Sequence, residues 1–323
     1  MPILTTINFF CRRYNYFHVH LYYCTNLSNS FMLYHLIEKY KLSSLHIMVL
    51  VLGFTGILGK LITLEAIHLV WYRMLIAFIT LALFLVCKKE LFSIKRKDFF
   101  GIVGVGILVT FHWLCFFQSI KESTVSVAVV CLATSSLFAA ILEPLFLKRK
   151  LLKYEVLMSL VVIAALAYIL DAESKYLFGY IYGLIAAFLA TLFTIFNGKY
   201  IGRIDAAKIT MIEMLTGVVI ISCLLAYKED YSTFTSCISI SDFSYLLILG
   251  TVCTAGVFVW MTEIMRHITP YSLIMAVNLE PIYSIILALI IFGDSEMMST
   301  SFYIGGSVII AVIYLEGYLK NKQ

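Results

Sequence analysis

Long apolar runs alternate with short polar segments along most of this chain. Ten runs stand out, and they cover residues 44–62, 67–87, 99–118, 124–147, 154–170, 177–197, 207–227, 243–262, 270–292 and 302–319. A helix needs roughly 20 apolar residues to cross about 30 Å of hydrocarbon. Strands of a membrane barrel would instead alternate apolar and polar positions over roughly ten residues. The pattern therefore predicts ten transmembrane helices.

Composition supports this prediction. Hydrophobic residues make up 62% of the chain and charged residues 13%, against about 45–50% and about 25% in soluble domains. These values argue against a water-soluble fold and against disorder, which needs low hydrophobicity and high charge. The net charge of +5 does not predict nucleic-acid binding, because the basic residues lie in short clusters between apolar runs and form no single basic face. We expect an all-α integral membrane protein.

The distribution of Lys and Arg predicts the orientation. If the N-terminus lies in the cytoplasm, nineteen of the 24 basic residues fall on the cytoplasmic side. One, Arg73, lies within a run, and only Lys60, Lys121, Lys175 and Lys228 fall outside. Basic residues concentrate in cytoplasmic loops. We therefore expect a multi-pass protein of the cell (inner) membrane with both termini in the cytoplasm.

The first 43 residues contain no apolar run long enough to span a membrane. We interpret residues 1–43 as a loosely ordered cytoplasmic tail, or as the result of a start codon placed too early, with Met32 as an alternative start. Whether residues 1–31 are translated is left open, and we assign no function to them.

The ten runs show signs of an internal repeat. Phe54-Thr55-Gly56-Ile57-Leu58-Gly59-Lys60 closes the first run and Phe193-Thr194-Ile195-Phe196-Asn197-Gly198-Lys199 closes the sixth, with four of seven positions identical. Because five is odd, a second set of five helices must enter from the opposite face. The sequence thus predicts an inverted 5+5 repeat, with units at 44–171 and 177–320. Inverted repeats are typical of secondary transporters, which bind substrate near the bilayer midplane.

Three segments carry a family resemblance. They are Gly53–Leu75, which contains Leu69-Val70-Trp71-Tyr72-Arg73-Met74-Leu75, and the Leu-Glu-Pro segments within 141–150 and 278–281. With them, the chain resembles EamA-like transporters of the drug/metabolite transporter superfamily, in two EamA units over about residues 44–320. The resemblance implies ten helices, inverted five-helix repeats and movement of small metabolites such as amino acids or drugs, often outward.

Charged residues inside a membrane are rare and mark functional positions. Glu280 lies near the middle of the ninth run, where a carboxyl that changes between neutral and charged forms suits proton coupling; the alternative is a neutral Glu bonded to a neighbouring helix. Arg73 and Glu213 each lie six residues inside a run, at opposite faces. In one interpretation each residue lies near one gate of a transporter or attracts a charged group of the solute. In the other, Arg73 forms a fixed ion pair with Glu122, and Glu213 forms one with Arg266.

Weaker candidates are polar residues within other runs. These residues line a cavity or serve helix packing, which is the commoner role of small polar residues in membranes; they are Asn278, Ser135, Thr134, Thr194, Asn197 and His112. Trp71 and Trp113 are interpreted as aromatic-belt residues, and Glu143 as a side chain that extends to the membrane surface.

The function predicted from these observations is secondary transport of a small metabolite, such as an amino acid or drug-like solute, by alternating access. Export is the expected direction, and the partners are the solute, the lipid bilayer and protons as a coupling ion. No cofactor and no metal are predicted, and no enzymatic motif is found. The alternatives are a membrane-embedded enzyme or a channel that lacks recognisable motifs. The solute, the direction of net flux, the coupling ion and the oligomeric state are left open.

Overall fold

The computed structural model describes residues 41–89, 94–147, 153–172, 174–228, 238–266, 268 and 270–320. The segment expected to form a tail therefore lies almost wholly outside the described residues. From Met48 onward the described residues form one compact unit. The unit that precedes it is described only over residues 41–47, which form the first turns of a helix.

The regular structure of the described residues is entirely helical. The α-helices, numbered in chain order, are α1 (Lys41–Leu61), α2 (Ala66–Cys87), α3 (Arg96–Glu122), α4 (Val125–Ala133), α5 (Ser135–Leu147), α6 (Lys153–Ala172), α7 (Leu177–Asn197), α8 (Ala206–Tyr227), α9 (Ile240–Gly250), α10 (Val257–Ile264), α11 (Pro270–Val277), α12 (Glu280–Phe292) and α13 (Thr300–Lys320). A π-helical turn, Thr251–Gly256, joins α9 to α10, and short 3₁₀ turns cover Ser174–Tyr176 and Gly293–Glu296.

Six of the described helical segments are long and apolar enough to cross a membrane. They are Ala66–Cys87, Arg96–Glu122, Val125–Phe146, Ser174–Asn197, Ala206–Tyr227 and Ile240–Ile264. Three shorter apolar helices cover Leu45–Leu61, Leu160–Ile169 and Thr300–Val312. The prediction of an all-helical membrane protein is confirmed. The count of ten spans and the 5+5 repeat stay predictions.

Two of the predicted runs are interrupted near their middles. The fourth run is split at Thr134, whose hydroxyl donates to the carbonyl of Cys131 at 2.6 Å. The ninth run is split at Asn278 and Leu279. Pro281 follows that break in the first turn of α12, where its missing N–H removes no helical hydrogen bond.

One end of the bundle is held together by buried polar contacts, and we call it the Lys60 end. Glu296 is fully buried there. Its carboxylate accepts hydrogen bonds from Lys60 Nζ at 2.8 Å, from the backbone N–H groups of Val125 and Ser126 at 3.0 and 3.1 Å, and from the Ser126 hydroxyl at 2.9 Å. One carboxylate thus caps the start of α4 and joins it to α1 and to the turn after α12.

Further contacts close the same end. Thr63, between α1 and α2, donates its backbone N–H and its hydroxyl to the Asp242 carboxylate at 2.9 and 2.6 Å. Lys121, in the last turn of α3, donates to the carbonyl of Ile62. The loop between α1 and α2 is therefore fixed to the ends of α3 and α9.

The opposite end is held by more exposed contacts, and we call it the Arg203 end. Arg203 forms a 3.4 Å ion pair with Asp98 at the start of α3. Arg266, after α10, donates to the carbonyl of Ile204 at 3.2 Å and pairs with Glu263 at 2.8 Å. Both arginines are substantially solvent-accessible, so these pairs are worth at most about 1 kcal/mol each.

Helix α3 lies at the centre of the packing. It packs along α7 and α8, while α2 packs on α8 and α9, α6 on α13, and α12 on α4. The largest cluster of buried side chains is built from these central helices. The two halves predicted from the sequence therefore share one core, and the space between them holds the cavity described next.

Candidate functional site

A cavity lies between the helices, near the breaks at Thr134 and Asn278, and its empty space, open solvent included, is about 750 Å³. Its walls are mostly apolar and aromatic, as is usual for small-molecule sites. The polar side chains that line it are Thr55, Arg73, His112, Ser135, Thr194, Asn278 and Glu280.

Arg73 is the cation of the cavity, and only 1% of it is exposed. Its Nε donates to the hydroxyl of Thr254 at 2.6 Å, and its guanidinium carbon lies 3.9 Å from the centroid of the Trp113 ring. Its Nη1 has no hydrogen-bond partner. Stacking on an aromatic face stabilises the guanidinium, while the buried Nη1 is left without a partner.

The π-helical turn places the partner of Arg73. Thr254 donates its own hydroxyl proton to the carbonyl of Leu249, five residues earlier, at 2.6 Å. Its oxygen is thereby oriented to accept from Arg73. A single π turn inside an α-helix is frequent at functional sites.

Glu280 is the anion of the cavity, and it is 6% exposed. It lies at the start of α12, directly after the break at Asn278 and Leu279. Arg73 is the charged group that acts electrostatically on Glu280, but no contact within 4 Å joins the two among the described ion pairs. The cavity therefore carries one positive and one negative group that face it without neutralising each other by contact.

His112 contributes a neutral polar edge. Its Nδ1 lies 2.8 Å from the carbonyl oxygen of Ala186. Because a carbonyl only accepts, Nδ1 carries a proton, and in the neutral ring Nε2 is then an acceptor. The ring is flanked by Phe116 and Phe193, with centroids 6.3 and 5.3 Å away.

The structure brings six of the nine candidate residues to this cavity. Those six are Glu280, Arg73, Asn278, Ser135, Thr194 and His112. Thr134, Asn197 and Glu213 are buried elsewhere. The Thr134 hydroxyl is used within its own helix, whereas Asn197 and Glu213 lie against each other.

Several interpretations of single residues are wrong. Trp113 is 2% exposed and lies beneath Arg73, so it is not a belt residue. Glu143 is 4% exposed and does not extend to the surface. The ion pairs considered as the alternative, of Arg73 with Glu122 and of Arg266 with Glu213, are absent from the described contacts, where Arg266 pairs with Glu263 and Glu122 accepts from Gln118 at 2.9 Å.

The sequence analysis missed the aromatic wall of the cavity. Trp113, Phe116, Phe193 and Phe258 line it, and the ring of Phe258 lies edge-on to that of Trp113, with centroids 4.9 Å apart. Residues 112, 113 and 116 share one face of a helix, since neighbours on a helix are three or four positions apart. The spacing of Trp113 and Phe116 next to the polar His112 is therefore the sequence feature from which this part of the aromatic wall could have been predicted.

The profile of one protein family matches the chain over residues 39–171 and again over residues 177–316, and that family is described as the EamA-like transporter family. The two matches together cover most of the sequence. The chain belongs to the EamA-like transporter family. The two EamA units implied by the sequence resemblance are confirmed, and the cavity of this EamA protein is built from helices of both units.

Solved structures agree with the fold of this EamA protein. A crystal structure titled only as that of a protein superposes with a TM-score of 0.62 at 13% sequence identity, over 84% of this chain and 96% of its own. At this identity the likeness concerns the fold alone. No curated protein sequence matches the chain.

Proposed function

We propose that this EamA protein is a secondary transporter that carries a small zwitterionic metabolite, such as an amino acid, by alternating access. The observation that carries the proposal is the pair of opposite charges, Arg73 and Glu280, in one largely apolar cavity. Charges in a membrane interior are costly, and a solute that carries both signs would neutralise both at once.

The geometry supports specific roles for the two groups. The free Nη1 of Arg73 binds the solute carboxylate, for which a guanidinium offers several donors in a plane. The carboxylate of Glu280 binds the solute ammonium group. The aromatic wall around Trp113 and Phe258 then packs on the apolar part of the solute.

The shape of the cavity favours one direction of access in this conformation. Its lining includes Thr194, Met261 and Leu273, which lie within a turn or two of the Arg203-end termini of α7, α10 and α11. The Lys60 end is closed by the buried Glu296 contacts. We infer that the solute enters from the Arg203 end here and leaves when the Lys60 end opens.

The finer features of the transporter belong to the same proposal. We propose ten spans in an inverted 5+5 arrangement in the cell (inner) membrane. The Arg203 end then lies on the cytoplasmic side, and export is the net direction. The breaks at Thr134 and at Asn278–Leu279 support this arrangement, since they fall in the fourth and ninth runs, which the repeat makes equivalent. A proton or solute gradient supplies the energy, and Glu280 is the sequence-based candidate for proton coupling.

Two measurements test the proposal. Metabolites inside and outside cells with and without the protein would identify the solute and its direction. Counterflow of a labelled amino acid in proteoliposomes would then measure saturable exchange. Arg73→Ala should raise the apparent KM at least tenfold for zwitterionic and anionic solutes, because a hydrogen bond to a charged group is worth about 1.5–3 kcal/mol, and should change it less for cationic solutes.

Contrary outcomes are equally clear. Equal effects of Arg73→Ala on all solutes would show that Arg73 is structural. Ohmic current without saturation would assign a channel instead of a carrier. Chemical conversion of the added solute would favour a membrane enzyme.

A further inference from the structure

A second buried polar cluster lies outside the cavity. It consists of Asn197, in the last turn of α7, and of Thr210 and Glu213, which share one face of α8. Glu213 and Thr210 are fully buried and Asn197 is 2% exposed. All three lie toward the Arg203 end, since α7 ends there and α8 begins there.

The oxygen atoms of this cluster lack hydrogen-bond partners. Both carboxylate oxygens of Glu213, the Oδ1 of Asn197 and the Oγ1 of Thr210 are buried and unpaired. Asn197 is the polar side chain that lies next to the Glu213 carboxyl, although no hydrogen bond to either carboxylate oxygen is formed. Asn197 of α7 thus lies next to Glu213 of α8, and Thr210 lies one turn before Glu213 on the same helix face.

Thr210, like Thr55, departs from the pattern of the other described helical threonines. The hydroxyls of Thr80, Thr110, Thr194 and Thr216 each donate to the carbonyl four residues earlier, at 2.6 to 2.8 Å. Thr210 makes no such bond. Its hydroxyl is therefore not used by its own helix.

No positive charge compensates Glu213 within the described residues. Where α3 crosses α8, the residue that faces Glu213 is Gly106. Two ion pairs occupy charged groups at this end: Asp98 pairs with Arg203, and Arg266 pairs with Glu263. Lys208, in the first turn of α8, is half-buried. From α2 and α10, the described residues near this part of α8 are apolar, including Met74 and Val259.

We propose that Glu213, Asn197 and Thr210 form a proton-binding site that is separate from the cavity. An isolated carboxylate in an apolar interior is strongly unfavourable, and the usual outcome is that it takes up a proton. The neutral acid then donates its O–H to Asn197 Oδ1, and its carbonyl oxygen accepts from the Thr210 hydroxyl. One proton satisfies all the unpaired oxygens.

A proton fits this site better than a metal cation. Three side chains supply four oxygens, fewer than the six to eight that hard cations such as Ca²⁺ take. A proton needs only the carboxylate oxygen that binds it and one oxygen that accepts the resulting O–H. Glu280 differs in its surroundings, because the guanidinium of Arg73 lines the same cavity. If the transport proposed above holds, proton coupling then resides at Glu213 and solute binding at Glu280; the binding of the proton itself does not depend on that proposal.

Infrared spectroscopy of the purified full chain tests the site directly, since a protonated carboxyl absorbs apart from a carboxylate and from amides. We expect a protonated-carboxyl band at neutral pH that shifts in D₂O, disappears on alkaline titration and is absent from Glu213→Gln. Glu280→Gln is the matched control, because it makes the same change at a buried acid that lines the cavity, and it should retain this band. Asn197→Ala should move the band to higher frequency through loss of the acceptor.

Three results would overturn the proposal. The first is a band that persists in Glu213→Gln. The second is a band that does not move in either Asn197→Ala or Thr210→Val. The third is a band that disappears at neutral pH when NaCl is added but not when choline chloride is added. The last result would assign a sodium site. If Glu213→Gln does not yield folded protein, the two other variants still decide the matter, because each removes one partner and keeps the acid.

Discussion

At the scale of single residues, Glu296 and Glu213 are both fully buried, yet their surroundings differ. Glu296 accepts hydrogen bonds from Lys60, from two backbone N–H groups at the start of α4 and from a hydroxyl. Glu213 has no partner for either oxygen. A buried carboxylate with several donors stabilises the fold when those donors would otherwise be unsatisfied, so Glu296 serves structure and Glu213 is available for chemistry.

Glu296→Gln should lower the free energy of unfolding by about 3 kcal/mol, because removing one partner of a buried pair leaves the other uncompensated. The midpoint of thermal unfolding of the purified protein in detergent would measure this loss. Asp294→Asn, two residues earlier and exposed, is the matched control and should stay within about 0.5 kcal/mol. Equal midpoints for both variants would contradict the assigned role of Glu296.

At the scale of elements, close helix crossings depend on glycine. A Cβ at Gly106 of α3 would lie 2.8 Å from the Cβ of Thr216 and 3.0 Å from the Cα of Glu213 on α8. A Cβ at Gly104, on the exposed side of the same helix, would meet nothing within 4 Å. Small residues at such crossings let membrane helices approach closely.

We therefore expect Gly106→Ala and Gly104→Ala to act in opposite directions on stability. Gly106→Ala should destabilise the protein by about 1–3 kcal/mol through overpacking. Gly104→Ala should be neutral or stabilise it by up to about 1 kcal/mol, since alanine is the better helix former. Thermal unfolding of the two variants side by side is the measurement, and a stabilising Gly106→Ala would show that α3 and α8 are less tightly packed than described.

The positions of the helices could be predicted from the sequence, but their interruptions could not. Each apolar run overlaps a described helix, because twenty apolar residues in lipid have one way to satisfy their backbone. The break at Thr134 falls on the triplet Thr134-Ser135-Ser136, and the π turn Thr251–Gly256 contains two threonines. Small polar residues are common where membrane helices pack, so they did not distinguish an interruption from a continuous helix. Only Pro281 marked the break in the ninth run.

The candidate site could be predicted in part for a related reason. Charged residues are so rare in the runs that Arg73 and Glu280 were evident, and both line the cavity. Trp113 and Phe258 were not distinguishable from the many aromatic residues that face lipid. That Arg73 faces Glu280 instead of Glu122 depends on how α2 and α12 pack, which no local pattern encodes.

At the scale of the whole molecule, the described contacts sort the loops into two ends. The Lys60 end collects buried pairs such as Lys60–Glu296, and the Arg203 end collects exposed pairs such as Arg203–Asp98. This division agrees with the charge bias read from the sequence, which assigns Lys60 to the outside and Arg203 to the cytoplasm. The orientation in a cell is the part that remains to be measured.

Single cysteines at the two ends would measure it, in a variant whose eight native cysteines are replaced. Ser295→Cys at the Lys60 end and Gly202→Cys at the Arg203 end both replace exposed residues. We expect a membrane-impermeant thiol reagent applied to intact cells to label Ser295→Cys, and to label Gly202→Cys only after permeabilisation. Labelling of both in intact cells would contradict a single orientation, and the reverse pattern would invert it.

The Glu296 contacts also bear on how faithfully such a carrier would hold its gradient. Any state that opens the Lys60 end must pull one carboxylate away from donors on two helices and rehydrate it. That step is uphill for an empty protein, so few unloaded molecules would cross over. Substitutions that weaken these contacts would therefore let solute move back down its gradient through the carrier. A faster leak of solute would be measured before any loss of solute binding.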